Sequence, residues 1–248
     1  MTKFPHLTRA PVVEALIDLR VRTRPNFDLK VFEELHSRIK DRYPTSKPIR
    51  QVMATFGMKE GEPAGQQVVQ TDKGYRLEAA DARLVVQMTD EGCTISRLNP
   101  YETWENLIEE ARLIWELYVS IAQPEAVVRV ATRFINRVEL PLPFADFDEY
   151  LTAPPTVPKK LPQFISEFLS RIVINDPKDP TTIVLTQALE PNIQASTTVS
   201  VLLDIDVFKV DTYTPRSQDI WNLLERFRDL KNEAFFASLT PKALEMLA

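Results

Sequence analysis

The chain has 248 residues, 44% hydrophobic and 26% charged, with a formal net charge of −5. This balance belongs to a globular chain able to bury one sizeable core or two small ones, and it excludes disordered and fibrous classes. The negative total excludes indiscriminate polyanion binding and leaves room only for a local basic stripe.

No apolar run reaches the roughly 18 residues of a membrane span. The N-terminal Met1-Thr2-Lys3-Phe4-Pro5-His6 has no charged-then-apolar signal layout, so a cytoplasmic chain is expected. Cys93 is the single cysteine, which rules out an intrachain disulfide and a cysteine zinc site. The five glycines, Gly57, Gly61, Gly65, Gly74 and Gly92, fall in one stretch of the first half. Phosphate-cradling loops need glycine where backbone approaches ligand closely, and no Walker or dinucleotide spacing occurs.

Val12 to Val21 alternates as a half-buried strand. Val13, Ala15, Ile17, Leu19 and Val21 lie on one face, with Glu14, Asp18, Arg20 and Arg22 on the other. Asp28 suits the start of a helix to about Tyr43 with Leu29, Phe32, Leu35 and Ile39 in one stripe, stopped by Pro44 and Pro48. Strands are expected at Ile49–Met58, Gln66–Gln70, Tyr75–Leu77, Arg83–Thr89 and Cys93–Leu98, with Asp72/Gly74 and Asp90/Gly92 as turns. Asn99 as N-cap, Pro100 and Glu102 open a helix to about Ala122, carrying Trp104, Leu107, Ile108, Ala111, Trp115 and Tyr118.

The second half begins with a strand from Val127 to Leu140. A proline-rich connection over 141–162 follows (Pro141, Pro143, Pro154, Pro155, Pro158, Pro162), around a short helical piece at Asp146–Leu151. Next come a short helix Gln163–Leu169 and strands at Arg171–Ile174, Thr182–Glu190 and Thr198–Val210. Thr214-Pro215 opens a last long helix with Ile220, Trp221, Leu224, Phe227 and Leu230 along it, and Thr240-Pro241 a short one.

Val12 and Val127 open strands of the same character, and the same spacing separates Asn99-Pro100 from Thr214-Pro215. The expected fold is therefore α+β. It is a tandem duplication of a strand–helix–antiparallel sheet–helix unit, giving one curved sheet with helices on one face. The repeats span 1–123 and 124–248. That element order resembles the duplicated fold of the TATA-box-binding proteins. Three stretches, Ala10–Leu16, Arg133–Pro141 and Lys231–Thr240, resemble signature stretches of a family of about this chain length, sporadically distributed among bacteria and archaea, whose function is uncharacterised. The resemblance brings no catalytic residues to carry over. Its sporadic distribution implies a link to mobile or defence genes.

In such a fold the two leading strands lie antiparallel about the pseudo-twofold axis. The expected register sets Asp18 opposite Arg133, Glu14 opposite Arg137 and Arg22 opposite Arg129, with about 0.2–1 kcal/mol from each acid–base pair. Arg20, Asn136 and Glu139 extend the strip. The candidate binding residues are thus Glu14, Asp18, Arg20, Arg129, Arg133, Asn136 and Arg137, where arginine can grip a carboxylate or phosphate bidentately. The plain alternative is an exposed, self-neutralised sheet face.

Asp204 and Asp206 share one strand face, the minimal layout for a divalent cation, but a solvated strand face explains them more simply. His6 in the tail and His36 on the first helix have no nucleophile elbow beside them. Cys93 reads as a small buried hydrophobe and the three tryptophans as core. Arg226, Arg228 and Lys231 interleave with Glu225, Asp229 and Glu233 as a solvated, paired helix face, and Phe235, Phe236 and Leu239 read as core, with a dimer contact as the alternative.

The expected function is that of a non-catalytic binding protein presenting the sheet or the cleft under its proline-rich connection to a protein partner or small polar ligand. No cofactor or membrane is expected, and a homodimer is compatible. The alternative is an enzyme or regulator acting on nucleic acid or nucleotides. Nucleic acid is less favoured, because a duplex saddle wants uncompensated cations.

Overall fold

The computed structural model of the chain describes residues 4–5, 7–59, 62–177, 179–191 and 197–248. His6 lies outside them. The first half contains β1 (Val12–Arg22), α1 (Val31–Ile39), β2 (Thr45–Lys59), β3 (Glu62–Glu78), β4 (Leu84–Thr89), β5 (Gly92–Leu98) and α2 (Trp104–Ala122). The second contains β6 (Ala126–Pro141), a 3-10 turn at Phe147–Glu149, β7 (Leu169–Asp176), β8 (Asp179–Leu189), β9 (Thr198–Tyr213), α3 (Gln218–Ser238) and α4 (Pro241–Leu247). The nine strands among the described residues form one antiparallel sheet in the order β2-β3-β4-β5-β1-β6-β9-β8-β7, so the α+β class with an antiparallel sheet is as expected.

Period-two alternation decides which way each strand faces. Ala15, Ile17 and Leu19 of β1 are fully buried, as are Val130, Val138 and Leu140 of β6 and Val201, Leu203, Ile205 and Val207 of β9. Helix α2 packs on β1 and β5, α3 on β6 and β9, and α1 on α2. The helix side of the sheet is therefore the core. Trp115, Tyr118 and Phe32 fill it without exposure, Trp115 and Tyr118 stacking at 5.3 Å. Phe235 and Leu239 are buried, and Phe236 stacks on Phe4 at 5.0 Å. Cys93 is fully buried, and that burial pushes its thiol pKa up, as fits a packing residue. Among the described residues no helix is long and apolar enough to cross a membrane.

Several boundaries differ from expectation, each for a local reason. The chain bends at Asn99 and Pro100 and enters the helix only after Thr103, with Asn99 N–H held by Val13 O at 3.0 Å, so Asn99 does not cap α2. Thr103 does, its hydroxyl accepting from Asn106 N–H at 3.2 Å. Pro215 likewise precedes α3, in a turn closed by Ser217 N–H on Thr214 O, and Ser217 is the cap. The helix expected at Gln163–Leu169 does not form. Leu189 N–H bonds Phe168 O at 3.1 Å, so the end of this segment joins β8 where β7 begins at Leu169. The expected helical piece at Asp146–Leu151 is reduced to the single 3-10 turn capped by Asp146. Pro48 sits inside β2 rather than before it, which an edge strand tolerates.

Asp72/Gly74 makes no turn. Strand β3 runs through it, and Gly74 stands opposite Thr89. A Cβ on Gly74 would lie 1.9 Å from the carbonyl oxygen of Met88, so glycine is there for close backbone approach between strands. Gly74→Ala is therefore expected to cost about 2–4 kcal/mol by forcing β3 from β4. A thermal melt checks this, with a drop of roughly 2–4 °C for each kcal/mol in a chain of this size.

Candidate functional site

The two leading strands are neighbours and antiparallel, as expected, but the register is displaced by two residues. Leu16 faces Arg133, Asp18 faces Ala131 and Arg20 faces Arg129. Glu14 faces Ile135 and Arg22 faces Ala126, so none of the three expected pairs forms. A two-residue slip keeps every side chain on its own face, so burial pattern alone cannot distinguish the two registers. Irregularities at Val12/Glu14 and Arg20/Val21 bound the paired segment at either end.

The charges regroup with a third strand. On the sheet face turned away from the helices, Asp206 of β9 faces Arg133, and Asp204 faces Ile135. Arg133 grips Asp204 with two bonds, Nε–Oδ1 at 2.8 Å and Nη2–Oδ2 at 2.5 Å. Arg129 spans the central strands: Nη1 donates to Asp18 Oδ2 at 2.9 Å and Nη2 to Asp206 Oδ2 at 3.0 Å. Its guanidinium also lies over the Phe208 ring, 4.4 Å from the centroid. Asp18 is only 5% exposed and receives two further bonds, from Arg20 Nε at 3.0 Å and Thr94 Oγ1 at 2.6 Å. The like charges Arg20 and Arg129, directly opposite each other, are thus reconciled by one carboxylate. Arg137 pairs with Glu190 at the surface, 2.8 Å apart.

Two sets of residues that the sequence keeps apart, the arginine strip and the Asp204/Asp206 pair, are one network. Asp204 and Asp206 present their carboxylates to guanidinium groups, and no group of three or more His, Cys, Asp or Glu suited to a metal occurs among the described residues. Arg133 holds its proton more tightly than usual through its hydrogen bond to Asp204. Burial pushes the Asp206 carboxyl up, with Arg129 and Arg133 pulling the other way.

Asn136 does not belong to the strip. It is 2% exposed and points to the helix side, where Nδ2 donates to Leu203 O at 3.0 Å. Its even number in β6 puts it with Phe134 and Val138, away from the odd-numbered arginines. Glu139 sits at the far end, accepting from Ser200 Oγ at 2.8 Å. His36 bonds Tyr43 O at 2.9 Å through Nε2.

Lys231 is misread by helix-face charge patterning. It is partly buried, with Nζ 3.7 Å from the Phe134 ring centroid. Burial, and secondarily Arg228, pushes its amine down to about 7. Leu224, Phe227 and Leu230 share its helical stripe, which is the available signal that it faces the sheet. Glu110 is a second such case, lying between Leu107 and Ala111 on α2. It is 5% exposed and accepts from Tyr43 Oη at 2.7 Å and from Arg42. Beside it a cleft of about 400 Å³ includes Arg42 and Arg97, which Glu110 and Glu102 neutralise.

No protein-family model matches the chain, and no curated protein matches it.

Removing Arg129 leaves Asp18 and Asp206 short of a partner. Arg129→Met is expected to cost about 2–3 kcal/mol, against under about 1 kcal/mol for Arg137→Met at its exposed pair, both read from urea unfolding. Lys231 generates a pH dependence. With its folded value near 7 and its ordinary value 10.5, the unfolded chain binds the extra proton between those limits, so stability rises with pH across that window. Melting temperatures from pH 7 to 10 should climb more steeply for the wild type than for Lys231→Met.

Proposed function

We propose that the chain is a non-catalytic binding protein that receives a protein partner or a small polar ligand on the sheet face turned away from its helices. The observation that carries this reading is the make-up of that face. Both signs of charge alternate there with half-buried apolar side chains, Leu16 and Ile135 between the ion pairs and Leu202 and Phe208 along β9. A surface of that kind suits a partner that also carries both signs and some apolar area.

A nucleic-acid duplex asks for the opposite, a floor of uncompensated cations. Arg20, Arg129, Arg133 and Arg137 each have a carboxylate partner. That neutrality favours the protein or polar-ligand reading over the nucleic-acid one.

The same reading takes residues 1–123 and 124–248 as tandem repeats of one unit, in the manner of the TATA-box-binding-protein fold. Its support is the mirrored strand order about β1 and β6. On each side the last strand of the half, β5 or β9, returns beside the leading strand and feeds a long helix.

A charge swap tests the binding face without emptying it. Arg133→Asp combined with Asp204→Arg keeps an internal ion pair but reverses its direction. The expected outcome is a melting temperature within a few degrees of wild type and loss of the partner or ligand that copurifies with the wild-type chain from its native cells, quantified by mass spectrometry. Equal recovery by both chains would refute the assignment of this face.

A further inference from the structure

We propose that β7 pairs with β7 of a second copy of this chain, antiparallel about a two-fold axis at Val173, so that the two sheets become one. The inference rests on the edge of the sheet and not on the charged face.

Strand β7 ends the strand order, so among the described residues one side of its backbone has no sheet neighbour. An edge of this kind presents a row of N–H and C=O groups that templates another strand, and soluble chains usually blunt it with lysine, proline or inward charge. Here the middle of the strand reads Arg171-Ile172-Val173-Ile174-Asn175, with no lysine or proline. Ile172, Val173 and Ile174 are each 46% exposed and Leu169 is 74% exposed, on a strand paired regularly with β8 from Leu169 to Asn175.

The composition selects the occupant. A two-fold axis perpendicular to the sheet must bring a residue opposite its own copy, and the flanking residues then meet in reciprocal pairs. Centred on Val173, Ile172 meets Ile174 of the other copy and Ile174 meets Ile172. These contacts lie on the helix side, in line with Leu185 and Ile183 of β8. On the opposite side Val173 meets itself, and Arg171 meets Asn175, so no like charges are juxtaposed. From Arg171 to Asn175 each aliphatic thus finds an aliphatic partner and each polar group a polar one, the cross-strand arrangement that stabilises antiparallel pairs. The segment leading into β7 adds apolar area, with Phe164 89% and Leu161 55% exposed.

Light scattering on the purified full chain reads the outcome. The wild type should show twice the 28.4 kDa chain mass at micromolar concentration. Val173→Lys, which sets two ammonium groups face to face across the axis, should run as a monomer that still unfolds in one cooperative transition, its melting temperature lower by no more than the lost association accounts for. Val173→Cys should cross-link to a dimer under mild oxidation, whereas Val210→Cys on β9, at a position 66% exposed, should not. If Val173→Lys fails to fold, the two cysteine variants decide. A monomeric wild type across the concentration series, a Val173→Lys dimer, or equal cross-linking at both cysteines would overturn the proposal. None of these results bears on the charge-swap test of the sheet face.

Discussion

The antiparallel pairing of β1 with β6 is the constraint on which the remaining architecture depends. These strands sit at the middle of the sheet, and all the others are added outward from them, β5 to β2 on one side and β9 to β7 on the other. Their helix-side residues, Ala15, Ile17 and Leu19 with Val130, Phe134 and Val138, are buried to within 1%. Fully burying a large aliphatic or aromatic side chain contributes about 1.5–3 kcal/mol, which outweighs the roughly 0.2–1 kcal/mol of a cross-strand charge pair. The apolar pattern therefore decides which face is core, and the charges settle only what the core leaves undecided. A slip of two residues is one such question.

That hierarchy explains the charged face. Once the register places Asp18 beside Ala131, its carboxylate lies within reach of Arg129 and Arg20 and away from Arg133. Arg133 turns instead to Asp204, where a planar guanidinium meets a carboxylate with two parallel bonds. Asp18, nearly without exposure, matters most to stability because a buried charge that loses a partner is costly. The peripheral pair of Arg137 and Glu190 lies in water, where such contacts contribute little.

On the helix side the same reasoning accounts for charged groups in unexpected places. Glu110 occupies the apolar stripe of α2 because Tyr43 and Arg42 bring donors to it. Lys231 lies over Phe134, whose ring face attracts the ammonium while burial disfavours its charge. Both are charged residues on stripes that also carry core side chains. The spacing was visible in each case. The compensating partner, far away in sequence, was not.

The amino-acid sequence by itself determined the class of the molecule. Alternation marked β1, β6 and β9, helical stripes marked α2 and α3, and the recurring spacing raised the expectation that β1 and β6 are neighbours, as they are. These signals are local, because a side-chain period of two or 3.6 is a property of each segment alone. Tertiary structure decided the rest. It set the two-residue register, because parity is blind to it, and joined Asp204 and Asp206 to the arginines, because β9 lies beside β6. It carried Gly74 through a strand, where the Met88 backbone comes close, and kept 163–168 out of a helix, where Leu189 N–H of β8 bonds Phe168 O. Each of these turns on a partner distant in sequence, and only the folded chain brings the two together.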